Sequence, residues 1–174
     1  MSKYFEYRTK RMAELMPDDV KTILDLGCGN ERLRNVIDSD ITYYGLDYVK
    51  RSENTIICDV NREHLPKIEV DLYFMAGFLT YVNDMGLLFS QMTGAKYILF
   101  SWIDETRYLR LDSKVIDDGK SPSFVLNNRG KIISMADIVN SLSENGFYIK
   151  RLVYDYKNYD TYLVLTENIQ NIEK

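Results

Sequence analysis

Cysteine and histidine are scarce in this chain of 174 residues: two of the first and one of the second. So few thiols and imidazoles leave no framework for structural disulfides and no ligand set for a metal. Cys28 falls in a glycine turn and Cys58 closes an apolar run, so both are expected to be buried and reduced. No apolar run approaches the roughly 20 residues needed to span a bilayer. The first residues lack the apolar core of a secretory signal. A cytoplasmic protein is the expectation. Net charge is small, −4, with both signs mixed along the sequence, which argues against a general nucleic-acid or membrane-surface binder. Repeats and low-complexity segments are also lacking. What is present is 45% hydrophobic residues, enough for a normal core, in a chain of one-domain length.

The informative stretch is Thr22 to Arg34, T-I-L-D-L-G-C-G-N-E-R-L-R. Ile23, Leu24 and Leu26 form a short apolar run, Gly27-Cys28-Gly29 turns the chain, and Leu33, Val36 and Ile37 follow at helical spacing. This reads as a buried strand, a glycine turn and a helix start. Glycines at a strand end let backbone approach a ligand. A helix behind them offers free N–H groups to an anion. Asp25 adds an acceptor beside the turn. A dinucleotide fingerprint would need G-x-G-x-x-G, and its third glycine position is Arg32, so that pattern fails. A tight strand-to-helix turn without a ligand is the plain alternative.

The same segment resembles motif I, D-x-G-x-G-x-G, of the class I S-adenosylmethionine (SAM) methyltransferases. Asp25, Gly27 and Gly29 match, and Glu31 stands where the last glycine would be. The resemblance runs from Ile23 to Thr166. It implies an α/β, Rossmann-like doubly wound sheet, mostly parallel with a final antiparallel hairpin strand. The links from second to third and third to fourth strand are short. A single domain over residues 1–174 is expected, with an N-terminal helix in 1–17 and a lid or substrate wall in 102–131.

Further site residues follow from position. Ile41 to Asp47 is a β-rich run ending in an acid about twenty residues past the glycine turn, the spacing of a ribose ligand in nucleotide-binding βαβ units. One carboxylate can accept from both ribose hydroxyls. Asn54 to Asp59 reads as the third strand, and the resemblance implies that Asp59 and Val60 meet the adenine. The link between these two strands is so short that local reading alone gives a hairpin, whereas the resemblance implies a parallel pair. Val70 to Ala76 is the fourth strand, with Ala76 and Phe78 at its exit and Thr80-Tyr81 in the loop after it. The resemblance places Cys28 and Tyr48 against the cofactor. It also places a helix over the methionine end, where Arg8 is suited to pair with the carboxylate. His64 is the one histidine, but it falls in the loop after the third strand, on the adenine side, away from the methyl group.

A helix is expected from Asp84 to Met92 with Leu87, Leu88 and Met92 inward, then a fifth strand, Lys96 to Ser101. Trp102 to Lys131 emerges where ligands bind in open α/β sheets. Its Asp118-Gly119 is a hairpin signal. Its Arg107, Arg110 and Arg129 suit an anionic acceptor. Ser134 and Asp137 resemble a capping box opening a helix on Ile138, Val139 and Leu142. Phe147 to Tyr154 and Tyr159 to Thr166 read as two strands around Lys157-Asn158, with fraying expected from Glu167.

The resemblance implies SAM as cofactor and a small-molecule acceptor, with O-methylation favoured. No Asn-Pro-Pro-Tyr follows the fourth strand, which disfavours amino methylation of nucleic-acid bases. The Asp47-Tyr48-Val49 and S-W-I-D-E segments also resemble small methyltransferase-like proteins of bacterial surface-polysaccharide loci, which points to a saccharide or other polar acceptor. An oxygen acceptor of high pKa needs a base. Asp104, Glu105 and Tyr81 lie near the right strand ends, and nothing selects among them. The competing class is a methyltransferase-like SAM-binding subunit without catalysis of its own. Oligomeric state is not legible.

Overall fold

The computed structural model describes residues 2–103, 134–155 and 161–171. Among these, seven strands form one sheet: Thr22–Leu26 (β1), Thr42–Asp47 (β2), Ile56–Ile57 (β3), Leu72–Met75 (β4), Tyr97–Ile103 (β5), Phe147–Asp155 (β6) and Thr161–Asn168 (β7). The order across the sheet is β3-β2-β1-β4-β5-β7-β6. β1 pairs in parallel with β2 and β4, β2 with β3, and β4 with β5. β7 runs antiparallel between β5 and β6. The α-helices among the described residues are Ser2–Ala13 (α1), Met85–Ser90 (α2) and Met135–Glu144 (α3).

Strand alternation builds two cores from one sheet, because successive side chains leave a strand on opposite faces. Leu24, Tyr73, Met75, Ile98 and Phe100 join the side covered by Leu88 and Phe89 of α2 and Ile138 and Leu142 of α3. Ile23, Leu72, Phe74 and Leu99 join the side covered by Met12 of α1 with Leu15 and Leu33. The central strands are thus buried on both faces, which is why β1 and β4 are near-continuous apolar runs.

The β2–β3 link settles the conflict between local and family readings. The pair is parallel, Leu46 against Ile56 and Asp47 against Ile57. Residues 48–55 suffice because β3 spans only Ile56–Ile57, far less than the expected 54–59. The helix expected after the glycine turn is also shorter. It is a 3-10 turn, Arg32–Asn35, preceded by Glu31 in the left-handed region (φ 51°) and left at Val36 (φ −127°). A non-glycine residue in that region interrupts a right-handed helix before it can start.

Asp84 caps α2, its side chain accepting from the Leu87 N–H at 2.9 Å. Leu87, expected inward, is 48% exposed, and Phe89 takes the buried place. The Ser134–Asp137 capping box on α3 is present, with the Asp137 N–H donating to Ser134 Oγ at 3.1 Å and the Ser134 N–H donating to Asp137 Oδ2 at 3.0 Å. Glu167 and Asn168, expected to fray, belong to β7. The Asn168 amide donates to the Thr93 and Ala95 carbonyls at 2.6 and 3.2 Å, and residues 169–171 add a 3-10 turn. The hairpin at Asp118-Gly119 and the turn at Lys157-Asn158 lie outside the described residues. Both cysteines are buried and free. Among the described residues no helix is long and apolar enough to cross a membrane.

Asp71 ties the amino ends of three strands. Its Oδ2 accepts from the Lys21 and Thr22 N–H groups at 2.9 Å each and from Thr22 Oγ1 at 3.0 Å, while Lys96 Nζ lies 3.2 Å from Oδ1. Burial raises its carboxyl, but these hydrogen bonds outweigh burial and hold it below the usual carboxylate range. Asp71→Asn should cost about 1–3 kcal/mol of unfolding free energy at pH 7. A depressed native value stabilises above the unfolded pKa of about 3.9 and loses that contribution as pH falls through the native value. Urea unfolding of both proteins should therefore show a gap that is full at neutral pH and closes in acid.

Candidate functional site

Register brings the site together. Leu26 pairs with Leu46, and Asp25 pairs with Phe74, so Gly27, Asp47 and Ala76 emerge at one level of the carboxyl edge. The chain order reverses at β1, between β2 and β4, which is where open α/β sheets leave a crevice. A cleft of about 1040 Å³ occupies it.

All eleven residues expected to meet the cofactor line this cleft. The floor is the glycine turn with Asp25, Gly27, Cys28 and Gly29. Gly27 (φ 71°) must be glycine, since a Cβ there would stand 2.6 Å from the Phe78 ring. Its N–H and that of Cys28 donate to the Leu46 carbonyl at 2.8 and 3.0 Å, and the Gly29 N–H donates to Asp47 Oδ2 at 3.1 Å. These amides brace the turn against β2. They are not the free anion-binding donors expected of a helix start, and the 3-10 turn that replaces the helix supplies no such row.

At the β2 end, Asp47 is buried. It also accepts from the Val49 N–H at 3.2 Å and is paired with Arg51, whose Nε lies 3.2 Å from Oδ2. The Arg51 guanidinium is held further up in pKa by its hydrogen bond to Asp47. Tyr48 lies beside it at the rim, largely exposed. Asp59 and Val60 line the far end, where the Asp59 carboxylate accepts from the Asn61 N–H at 3.1 Å. The Asn61 amide then joins this loop to the next by donating to the Tyr81 carbonyl at 2.8 Å and accepting from the Asn83 N–H at 2.8 Å.

The opposite wall is α1. Arg8 is buried, donates from Nη2 to the Ala76 carbonyl at 2.8 Å, and lies over Gly77, where a Cβ would meet Nη1 at 2.5 Å. Arg8 and Arg32 both approach the Phe5 ring, at 5.2 and 5.4 Å from its centroid. Gly77 donates its N–H to Ser101 Oγ at 2.7 Å, which ties the β4 exit to β5.

Of the weak base candidates, Tyr81 lines the cleft and is half-exposed. Asp104, Glu105, Arg107, Arg110 and Arg129 lie outside the described residues. His64 does not line the cleft; its Nδ1 is 3.3 Å from Gln91 Oε1. Among the described residues no cluster of His, Cys, Asp and Glu suits a metal ion. Sequence reasoning missed Arg51, Arg32, Asn61 and Gly77 as lining residues. Arg51 had a signal, four residues after Asp47 in a tight loop; Gly77 had one at the exit of a central strand.

The electrostatics centre on Asp25. Burial pushes its carboxyl up to about 7, against the pull of the Tyr43 hydroxyl, which donates to Oδ2 at 2.9 Å, while the carboxylates of Glu31 and Asp47 push the same way as burial. Burial, with Asp25 and Asp47 adding to it, also pushes the Cys28 thiol up to about 12, so this cysteine is no nucleophile. A native carboxyl raised above its unfolded value of about 3.9 stabilises fully below that pH, and the contribution is lost as pH rises through about 7. Asp25→Asn escapes this loss. Its denaturation midpoint should therefore gain on that of wild type between pH 4 and 8; a constant difference would contradict the buried, protonated carboxyl.

Comparison with known proteins agrees with this geometry. No family model and no curated protein resembles the chain in sequence. Solved structures do resemble it in fold. A SAM-dependent methyltransferase from Mesorhizobium loti matches at TM-score 0.67 and 17% identity, over 94% of this chain and 98% of that one. Magnesium protoporphyrin IX methyltransferase from Synechocystis, with bound S-adenosylhomocysteine (SAH), matches at TM-score 0.65 and 16% identity, over 95% and 86%. A putative methyltransferase from Haloferax volcanii, solved in complex with the Trm112 activator, matches at TM-score 0.70 and 15% identity, over 97% and 91%. The chain has the Rossmann-like fold of the class I SAM-dependent methyltransferases.

Proposed function

We propose that this chain is a single-domain, cytoplasmic SAM-dependent methyltransferase of a small polar acceptor, with SAM held in the cleft at the carboxyl edge of β1, β2 and β4. The observation that carries this reading is the convergence of the glycine turn, Asp47, and Asp59 with Val60 along one cleft, in a fold shared with methyltransferases. The fit is chemical. Gly27 lines the cleft as bare backbone with the Phe78 ring packed where a Cβ would stand, Asp47 offers a carboxylate to a diol, and Asp59 offers an acceptor to an exocyclic amine. Arg8 offers a buried guanidinium at the other end, suited to a carboxylate.

SAM, when bound, supplies an electrophilic methyl group on a sulfonium. The part of the chain is then to bind, orient and exclude water, so that an acceptor lies in line with that group. Arg107, Arg110 and Arg129, in the segment after β5, are proposed to hold an anionic or saccharide-type acceptor. Tyr81, Asp104 and Glu105 are the groups near enough in topology to take a proton from an oxygen acceptor. A binding subunit without catalysis of its own is the second reading. It is favoured by Glu31, which stands where the motif has its last glycine and is tied to Ser52 and Thr55.

SAM or SAH at about 100 times its dissociation constant should stabilise the protein by about 2.7 kcal/mol, read as a thermal shift, and NAD should not. A shift with NAD alone would overturn the cofactor. Calorimetry should show Asp47→Ala losing at least about 1.5 kcal/mol of SAH affinity, with His64→Ala unchanged. Equal affinities of wild type and Asp47→Ala would remove Asp47 from the ribose.

A further inference from the structure

Both oxygens of Asp47 are engaged. A carboxylate offers about four lone-pair positions, two on each oxygen. On Oδ1 the Val49 N–H takes one at 3.2 Å and Arg51 Nη2 another at 3.4 Å. On Oδ2 the Gly29 N–H takes one at 3.1 Å, and Arg51 Nε stands 3.2 Å away as an ion-pair contact rather than a hydrogen bond. The two backbone donors are built into the turn and the strand end. The Arg51 guanidinium is the part that can leave.

We infer that Arg51 is a displaceable guard of the diol site: its guanidinium lies against both Asp47 oxygens, by a hydrogen bond to Oδ1 and an ion-pair contact with Oδ2, where a pair of vicinal hydroxyls would bind, and a ligand must expel it. This rests on the reading of the cleft as a SAM site. A planar fork of two N–H donors has the geometry that suits it to a carboxylate's two oxygens. The guard is also anchored. The Arg51 N–H donates to Thr55 Oγ1 at 3.1 Å, and the Ser52 N–H donates to the same oxygen at 2.7 Å. Ser52 Oγ donates to Glu31 Oε1, and Thr55 Oγ1 reaches that oxygen at 3.5 Å. Glu31, the residue that departs from the motif's glycine, thus latches the loop that carries Arg51. With the backbone held, release is a side-chain swing, and the Arg51 side chain is already 36% exposed, so water receives it. The residue sets cofactor affinity through Asp47 and is a positioning residue.

The test uses the whole chain and SAH, a ligand with no net charge at neutral pH. In calorimetry at low ionic strength, Arg51→Ala should bind SAH about three- to tenfold more tightly than wild type, since the competing pair is gone. Arg51→Lys, a single point donor in place of a fork, should fall between. The gain should vanish for the 2′,3′-dideoxy analogue of SAH, which makes no demand on Asp47. It should shrink only modestly at about 0.5 M salt, since Arg51 is partly exposed and Asp47 is buried. A purely structural role for Arg51 would move affinity for both ligands alike. Unchanged or weaker SAH binding by Arg51→Ala overturns the guard, as does an equal gain for the dideoxy analogue. Failure of wild type and all variants to bind SAH would instead overturn the cofactor reading and the guard with it.

Discussion

The parallel pairing of β1 with both β2 and β4 is the constraint on which the rest depends. A strand with parallel neighbours on both sides puts three carboxyl ends on one edge, and the chain must leave that edge three times. At each exit the sequence has small or acidic residues. Gly27-Cys28-Gly29 leaves β1, Asp47 ends β2, and Ala76-Gly77 leaves β4. The cleft is the space between those exits. Apolar residues on both faces of the central strands hold the pairing in register, since a slip by one residue would exchange the two cores.

Electrostatics then shape the floor of the cleft. Asp25, Glu31 and Asp47 gather around one turn, and each has its own partners. Buried Asp25 accepts from the Tyr43 hydroxyl, part-buried Glu31 from the Ser52 and Thr55 hydroxyls, and buried Asp47 from two backbone amides and Arg51. Their mutual repulsion adds to burial in raising the Asp25 carboxyl. Arg32, standing where a third glycine would be, distinguishes the turn from a dinucleotide fingerprint.

Much of this was legible in the sequence because it rests on residues with few alternatives. A glycine turn after a short apolar run, an acid at the end of a β-rich segment and a capping box each have local causes, and the structure contains all three. What was not legible depends on how loops meet. The helix after the glycine turn is absent because Glu31 takes a left-handed conformation, and the reason is a bond to Ser52 and Thr55 across a separate loop. The inward face of α2 was misread at Leu87 because a helix of Met85–Ser90 is too short for periodicity to fix its rotation. Arg51 escaped notice because a charged residue in a polar loop is ordinary until its partner is known. The frayed end was wrong because Asn168 finds two carbonyls in the loop before β5.

The central claim is that SAM lies along the carboxyl edge of β1, β2 and β4. Backbone amide spectra of the labelled protein titrated with SAH test it most directly, because the amides of Gly27, Gly29, Val49, Val60 and Gly77 report on the length of the cleft. Saturable shifts are expected at these positions, with little change in β6 and β7. Saturable shifts confined to other parts of the sheet, or an unchanged spectrum at millimolar SAH, would contradict it.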